Sequence, residues 1–276
     1  MAEITAASVG KLREMTGAGL MDCKKALTEA NGELDAAVDI LRKKSGSIAI
    51  KKGGRDTNEG VIAQHITAGS KVGVIVEVNC ETDFVGKNES FRAFCDEVAK
   101  KLAENPSIDL EPFRAEQVAK VGENIKISRH SRMEVQGNGL VAAYIHTGAK
   151  VGVLVEVGAG QEATASKEEF KQLVRDITLQ IAAASPSAVN RTELDQTVVA
   201  KEKEIAEEQA KGKPAAAIAK IVEGKLEKYY QTTCLVDQGF VKRNSEITIK
   251  EHVAAVGKQL GDEIVIRRFV RLQVGA

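Results

Sequence analysis

The sequence lacks tryptophan and is poor in aromatic residues, which make up only 4% of its 276 residues. Proteins that bind single-stranded nucleic acid by stacking need aromatic platforms, so this mode of binding is disfavoured. An excess of either charge is also lacking, because 39 Lys and Arg balance 39 Asp and Glu. Proteins that hold nucleic acid through its phosphates carry a basic face or stripe. We therefore expect no direct nucleic-acid partner.

Cysteine pairs, signal segments and long apolar runs are missing as well. The four cysteines are far apart in the sequence and form no C-x-x-C pair, so neither a zinc site nor a disulfide framework is expected. The first residues do not show the basic and then apolar pattern of a signal peptide. No uncharged run approaches the roughly 18 to 20 residues that a membrane span requires. These absences predict a cytoplasmic protein without membrane contact.

Signatures of catalysis are absent too. The sequence has no G-x-x-x-x-G-K-[ST] loop for phosphates and no H-E-x-x-H pair for zinc. Residues 158–163 match G-x-G-x-x-A, but the strand before them belongs to a hairpin and not to a parallel βαβ unit. We expect no cofactor, no metal site and no covalent catalysis.

The first 54 residues have the pattern of a small helical module. Apolar residues recur at helical spacing in three short stretches, which are separated by Gly-containing breaks near residues 16–19 and 31–32. Three such helices can share one small core. The basic, Gly-rich residues 43–46 and 51–55 that follow predict a linker.

An internal repeat is the most informative feature of the middle of the chain. Residues 60–78 align without a gap to residues 139–157, and 11 of the 19 positions are identical. Each copy shows two β-rich stretches around a Gly-containing turn, which predicts a β-hairpin. An amphipathic helix follows each hairpin, over about 88–104 and 167–184. The repeat therefore predicts two duplicated hairpin-plus-helix subdomains of α+β class.

The last third of the chain contains two charged helical stretches with narrow apolar stripes. A Gly-Lys-Pro sequence at 212–214 separates them, which predicts an antiparallel helical hairpin that projects from the core. Residues 264–274 alternate and predict a final strand. The predicted domains are the helical module with its basic linker (1–54), the first core subdomain (55–138), the second core subdomain (139–191 and 232–276) and the helical hairpin (192–231).

The two copies differ most in the loop after the hairpin. The first copy continues with Asn-Cys-Glu-Thr-Asp-Phe-Val-Gly, and the second continues with Gly-Ala-Gly-Gln-Glu-Ala-Thr-Ala. An acid beside a large aromatic, Asp83 and Phe84, is unusual for a strand-to-helix connection. Phe84 either packs into its own core ahead of the helix or projects as an anchor toward a partner.

A second candidate surface lies at the start of the second N-terminal helix. Leu20 and Met21 are adjacent, so both cannot face one small core. Together with Arg13 and the Gly-containing loop between them, they could form a docking patch.

At these residues the sequence resembles the bacterial elongation factor Ts family. The matching segments are LREMTGAGLMDCKKAL, EVNCETDFV, HTGAKVGVLVE and the Gly-Lys-Pro hairpin, in the family's order and across nearly the whole chain. The resemblance implies a ubiquitin-associated-like (UBA-like) N-terminal domain, two related core subdomains and a helical hairpin. It also implies the function of a guanine-nucleotide exchange factor, which releases GDP from elongation factor Tu.

The resemblance further assigns roles to particular residues. Thr82, Asp83, Phe84 and Val85 match the family segment that enters beside the magnesium site of elongation factor Tu.

Two other groups of residues match contacts with the partner's nucleotide domain. Arg13, Leu20 and Met21 match N-terminal docking positions, and His146 and Gly148 match a core contact. Self-association of the complex through the helical hairpin is compatible with the sequence.

Two alternatives to exchange remain at this point. A non-exchanging scaffold would keep the docking patch without promoting GDP release. An RNA-binding protein would use the basic residues 43–55 and would show a steep salt dependence of binding.

Overall fold

A computed structural model describes residues 4–276 of the chain and shows a mixed α+β fold, as the sequence predicts. The α-helices of this part are α1 (Ala6–Thr16), α2 (Leu20–Glu29), α3 (Leu34–Lys52), α4 (Asp83–Lys87), α5 (Glu89–Glu104), α6 (Glu111–Val121), α7 (Glu162–Ser166), α8 (Glu168–Ala184), α9 (Gln196–Gln209), α10 (Ala215–Thr233) and α11 (Ile249–Leu260). The strands are β1 (Glu59–Ile66), β2 (Val72–Cys80), β3 (Ile125–Glu134), β4 (Gly139–Ile145), β5 (Val151–Ala159) and β6 (Ile264–Gln273).

The strands form two antiparallel sheets of the same design. Sheet 1 has the order β1-β2-β3 and sheet 2 has the order β4-β5-β6. The repeat produces the hairpins β1-β2 and β4-β5, as predicted from the sequence. Each sheet also has a third strand, which reaches it after α6 in sheet 1 and after α11 in sheet 2.

The two sheets pack face to face. Their shared core contains Ile62 and Ile75 from sheet 1 and Val141 and Leu154 from sheet 2. The central strand of each sheet contributes a glycine where the sheets approach each other, because a Cβ at Gly73 would lie 2.5 Å from Val141. The outer faces are covered by α5 on sheet 1 and α8 on sheet 2. Because both faces of each central strand are buried, β2 and β5 are almost continuously apolar.

The N-terminal helices α1–α3 share a core that includes Leu12, Leu27 and Leu41. The side chain of Thr5 accepts a hydrogen bond from the Ser8 amide and begins α1. Gly17, with φ 66°, ends this helix in the left-handed conformation.

The predicted linker is wrong over residues 43–52, because α3 continues as a helix to Lys52. Ala49 is buried, and both Ala49 and Ile48 pack against the core of sheet 1. This burial outweighs the cost of Gly46 inside a helix, about 1 kcal/mol. Helix α3 therefore joins the N-terminal helices to the first core subdomain, where its end packs against α6.

Helices α9 and α10 form the predicted antiparallel hairpin. Asp195 begins α9 by accepting a hydrogen bond of 2.8 Å from the Thr197 amide. The turn contains Gly212 with φ 83°, and the helices bury Ala206 and Val222 between them. Within residues 4–276, no helix is both long and apolar enough to cross a membrane.

Candidate functional site

The segment Thr82–Val85, called the wedge here, lies at the end of β2 and includes the first residues of the short helix α4. Phe84 is 80% exposed, so its ring projects from the surface and does not pack into its own core. The structure therefore decides between the two placements that the sequence left open. The role of Phe84 in binding a partner remains a prediction.

Thr82 and Val85 of the wedge are held in place, although the side chain of Phe84 projects. The Thr82 hydroxyl accepts a hydrogen bond of 3.4 Å from the Val85 amide and so caps α4. Val85 is half-buried and packs against the core of sheet 1. Beneath the segment, the buried Cys80 thiol donates a hydrogen bond of 3.2 Å to the Thr82 carbonyl oxygen, and burial raises the pKa of this thiol to about 11. This cysteine is therefore a packing residue in its neutral form.

Asp83 carries a negative charge beside the exposed ring. Its carboxylate accepts a hydrogen bond of 2.6 Å from Lys87, one turn later in α4. This bond holds the pKa of Asp83 below its usual range. At neutral pH the wedge therefore presents an ionised carboxylate next to an aromatic ring, and a single exposed lysine pairs with that carboxylate.

Sequence reasoning missed Glu123, which lies two residues before β3. Its carboxylate accepts hydrogen bonds from the Thr82 amide at 3.0 Å and from the Thr82 hydroxyl at 2.7 Å. The two residues are 41 positions apart, so no local sequence pattern indicates the contact.

The N-terminal candidates Arg13, Leu20 and Met21 are all exposed. Leu20 is 53% and Met21 is 64% exposed at the start of α2, while Arg13 lies in the last turn of α1. Met15, 54% exposed, adds a third large apolar side chain that the sequence reading did not single out. Its proximity in sequence to Arg13 was the signal that could have identified it.

The remaining candidates, His146 and Gly148, occupy the turn between β4 and β5 and are exposed. The turn is closed by a hydrogen bond of 2.9 Å from the His146 amide to the Val151 carbonyl oxygen. Gly148 has φ 88°, a backbone conformation that suits glycine. The Tyr144 hydroxyl lies 3.0 Å from Nδ1 of His146 and orients the ring.

The wedge and the β4–β5 turn are both attached to the beginning of β1. The Ile62 amide donates a hydrogen bond of 2.7 Å to the Ala149 carbonyl oxygen, and Lys150 forms an ion pair with Glu59. Glu59 in turn pairs in register with Cys80, the last residue of β2, which lies two residues before Thr82.

The N-terminal helices reach the same region through the residues between α6 and β3. Lys52, the last residue of α3, donates a hydrogen bond to the Gly122 carbonyl oxygen. The Asn124 side chain donates a hydrogen bond of 2.8 Å to the Arg55 carbonyl oxygen. The three sets of candidates thus lie on elements that are linked to one another through the beginning of β1, residues 122–124 and the end of α3.

Comparison with known protein families gives one match. The model of the family described as Elongation factor TS matches residues 81–276 of the chain. The wedge and the β4–β5 turn lie inside this range, and the N-terminal candidates precede it.

Individual proteins match over nearly the whole chain, including the N-terminal helices. Elongation factor Ts of Lawsonia intracellularis is 41% identical, and the match covers 99% of this chain and 99% of that protein. Elongation factor Ts of Clostridioides difficile (strain 630) is 43% identical, with 100% of this chain and 94% of that protein covered. The corresponding protein of Nitratidesulfovibrio vulgaris (strain DP4) is 39% identical, with 99% and 96% covered.

Proposed function

The chain belongs to the elongation factor Ts family, and from this premise we propose that its wedge releases GDP from elongation factor Tu. The chain is a guanine-nucleotide exchange factor for elongation factor Tu in translation elongation. The proposal concerns how it acts: Thr82–Val85 enters beside the magnesium site of the partner. Nucleotide exchange consists of non-covalent dissociation and binding steps, so it needs no covalent step.

The main support for the proposal is the exposure of Phe84, whose neighbours Thr82 and Val85 are held in place by the rest of the subdomain. A large apolar side chain that is 80% exposed is available for burial against another protein. Full burial of such a side chain contributes about 1.5 to 3 kcal/mol. The hydrogen bonds at Thr82 and the packing of Val85 hold these two residues in place, so little ordering of the loop is needed on binding.

Asp83 supplies the electrostatic part of the mechanism. Magnesium neutralises phosphate oxygens and links them to the protein, so a carboxylate that disturbs its coordination weakens nucleotide binding. Coupling between two ligands is reciprocal, so a factor that binds best to the nucleotide-free partner must also lower the affinity for nucleotide. Each tenfold change in affinity corresponds to about 1.4 kcal/mol of coupling.

The other candidates serve docking in this proposal. Arg13, Leu20 and Met21 form one contact with the nucleotide domain of elongation factor Tu, and His146 and Gly148 form a second. These contacts hold the factor in place while the wedge enters. The proposal assigns no role to nucleic acid, and it places the protein in the cytoplasm, where elongation occurs.

The test is release of fluorescent GDP from purified elongation factor Tu by the intact chain and by Phe84→Ala. We expect the intact chain to accelerate release and Phe84→Ala to lose about tenfold or more of this acceleration, which corresponds to about 1.4 kcal/mol or more. The matched control is Ile50→Ala, because Ile50 is 81% exposed and lies outside the wedge and both docking surfaces. This control should release GDP as fast as the unmodified chain.

Two outcomes would contradict parts of the proposal. Full acceleration by Phe84→Ala would remove the assigned role of the wedge. Binding of the intact chain to elongation factor Tu without faster release would favour the scaffold alternative.

A further inference from the structure

The carboxylate of Glu123 uses both of its oxygen atoms on one residue of the wedge. Oε2 accepts the Thr82 amide hydrogen at 3.0 Å, and Oε1 accepts the Thr82 hydroxyl hydrogen at 2.7 Å. Hydrogen bonds to an ionised acceptor are roughly twice as strong as neutral ones. Because the hydroxyl donates to Glu123, its lone pairs are turned toward the Val85 amide, which it caps at 3.4 Å.

The second subdomain contains the same contact without a wedge. Asp262 lies two residues before β6, as Glu123 lies two residues before β3. Its Oδ2 accepts the amide hydrogen of Gln161 at 3.0 Å, and Gln161 stands at the position that corresponds to Thr82 in the repeat. A carboxylate thus holds the start of the short helix in both copies, and the contact to the hydroxyl exists in the first copy.

The wedge needs such an anchor because α4 has only five residues. Isolated helices of this length are not stable in water. The exposed ring of Phe84 makes few contacts of its own that could fix its direction. The orientation of the ring therefore depends on the residues that hold the beginning of α4.

We propose that Glu123 is a positioning residue for nucleotide exchange, which fixes the direction of Phe84 and Asp83 by holding Thr82. This inference rests on the proposed function of the wedge. Glu123 does not touch the partner in this scheme and acts only through Thr82.

The position of Glu123 also relates the wedge to the N-terminal docking surface. On one side of Glu123, the Gly122 carbonyl oxygen accepts a hydrogen bond from Lys52. On the other side, the Asn124 side chain donates a hydrogen bond to the carbonyl oxygen of Arg55.

The same residues also contact the wedge from its N-terminal side. The backbone amide of Asn124 donates a hydrogen bond of 2.5 Å to the carboxylate of Glu81, the residue directly before Thr82. Residues 122–124 thus hold the wedge and the end of α3 at a set distance, so that docking of the N-terminal helices brings the wedge to its target.

The test compares Glu123→Ala, Glu123→Gln and the matched control Asp262→Ala, all in the full chain. We expect Glu123→Ala to lower the maximal rate of GDP release about tenfold, a loss equivalent to about 1.4 kcal/mol. The concentration of factor that gives half-maximal release should change much less, because both docking surfaces remain. Asp262→Ala removes the corresponding contact of the second copy and should leave both quantities unchanged.

Glu123→Gln separates positioning from a general structural effect. The glutamine oxygen can accept the Thr82 amide hydrogen while its amide group donates to the Thr82 hydroxyl oxygen. We therefore expect this variant to recover most of the lost rate. A rate as low as that of Glu123→Ala would contradict the positioning role.

A second measurement does not depend on exchange. Chymotrypsin cleaves after exposed aromatic residues, and a fragment that begins at Val85 reports on the mobility of the wedge. We expect Glu123→Ala to increase this cleavage several-fold, while Glu123→Gln and Asp262→Ala cleave like the unmodified chain. Cleavage of Glu123→Ala at the unmodified rate, or an unchanged maximal rate of release, would overturn the inference. If the unmodified chain does not accelerate release, the proposed function fails, and the cleavage assay still decides whether Glu123 positions the wedge.

Discussion

The two core subdomains are copies of one design, and they differ at the place where one of them projects a side chain. In the first copy the loop after the hairpin presents Phe84, which is 80% exposed. In the second copy Ala163 occupies the corresponding position. The comparison shows that two copies with the same order of strands and helices present different surfaces, because the side chains of one loop differ.

The similarity of the copies extends to buried charges. Each central strand carries a buried glutamate, Glu77 or Glu156, followed by a β-bulge. Arg129 binds Glu77 at 2.6 Å, and Arg268 binds Glu156 at 2.7 Å. Each arginine also donates to a backbone carbonyl oxygen of the other sheet. The arginine of each ion pair therefore links its own sheet to the other one.

The largest effect on GDP release is expected when the loop of the first copy is replaced by that of the second. Replacing residues 82–85 by Gln-Glu-Ala-Thr, the sequence of residues 161–164, gives the first copy the loop of the second. We expect the acceleration of GDP release to fall about a hundredfold, equivalent to about 2.8 kcal/mol. Loss of the exposed ring should not affect thermal unfolding, whereas loss of the Val85 packing and of the Thr82 hydroxyl contact should lower the unfolding temperature by a few degrees. If the variant kept most of its acceleration of GDP release, this loop would not be what gives the first copy its role in exchange.

A smaller effect is expected when the feature that both copies share is broken. Glu156 is held by two arginines and by the Gln136 amide. Glu77 has one arginine as its charged partner and accepts its other hydrogen bonds from the neutral Asn79 side chain and the Gly275 amide. Removal of one partner of a fully buried ion pair costs about 3 to 5 kcal/mol. Because both arginines at Glu156 are partly exposed, we expect Glu156→Ala to lower the free energy of unfolding by about 2 kcal/mol. Glu77→Ala should cost less, as measured by urea unfolding.

The same glutamate makes stability depend on pH. Burial alone would raise the pKa of Glu156, but the hydrogen bonds from the Gln136 amide and from Arg267 and Arg268 outweigh burial and hold this pKa below its ordinary value of 4.5. A lowered pKa in the folded state contributes stability that is present above pH 4.5 and is lost as the pH falls through the folded-state value. Glu156→Gln should therefore lose less stability on acidification than the unmodified chain. If Glu156→Gln lost stability as steeply as the unmodified chain when the pH falls, other carboxylates would be responsible for the acid sensitivity.

The smallest effect concerns the turns of the two hairpins. Gly69 has φ 78° and Gly148 has φ 88°, and a Cβ at either position would meet no atom within 4 Å. We expect Gly69→Ala and Gly148→Ala each to lower the free energy of unfolding by about 1 kcal/mol, the cost of the left-handed conformation. Only Gly148→Ala should raise the concentration of factor needed for half-maximal GDP release, because its turn is the proposed contact. An equal change in both variants would argue against a special role for this turn.

Prediction from the sequence succeeded where the pattern is local. The hairpins and the helices α5 and α8 follow from residues that are close in sequence, because side-chain periodicity reflects which face is buried. The helical hairpin follows from its Gly-Lys-Pro turn in the same way. The linker prediction failed because Ala49 is buried in the core that sheet 1 shares with α5 and α6, a tertiary contact that local composition does not indicate.

The class of the fold, the duplication and the family can each be inferred from the order of residues along the chain, because local periodicity and repeated segments are present in that order. The projection of Phe84 and the contact of Glu123 with Thr82, 41 positions away, became visible in the three-dimensional structure. Exposure of a side chain and contacts between distant residues are set by how the elements pack, and periodicity within one element carries no information about them.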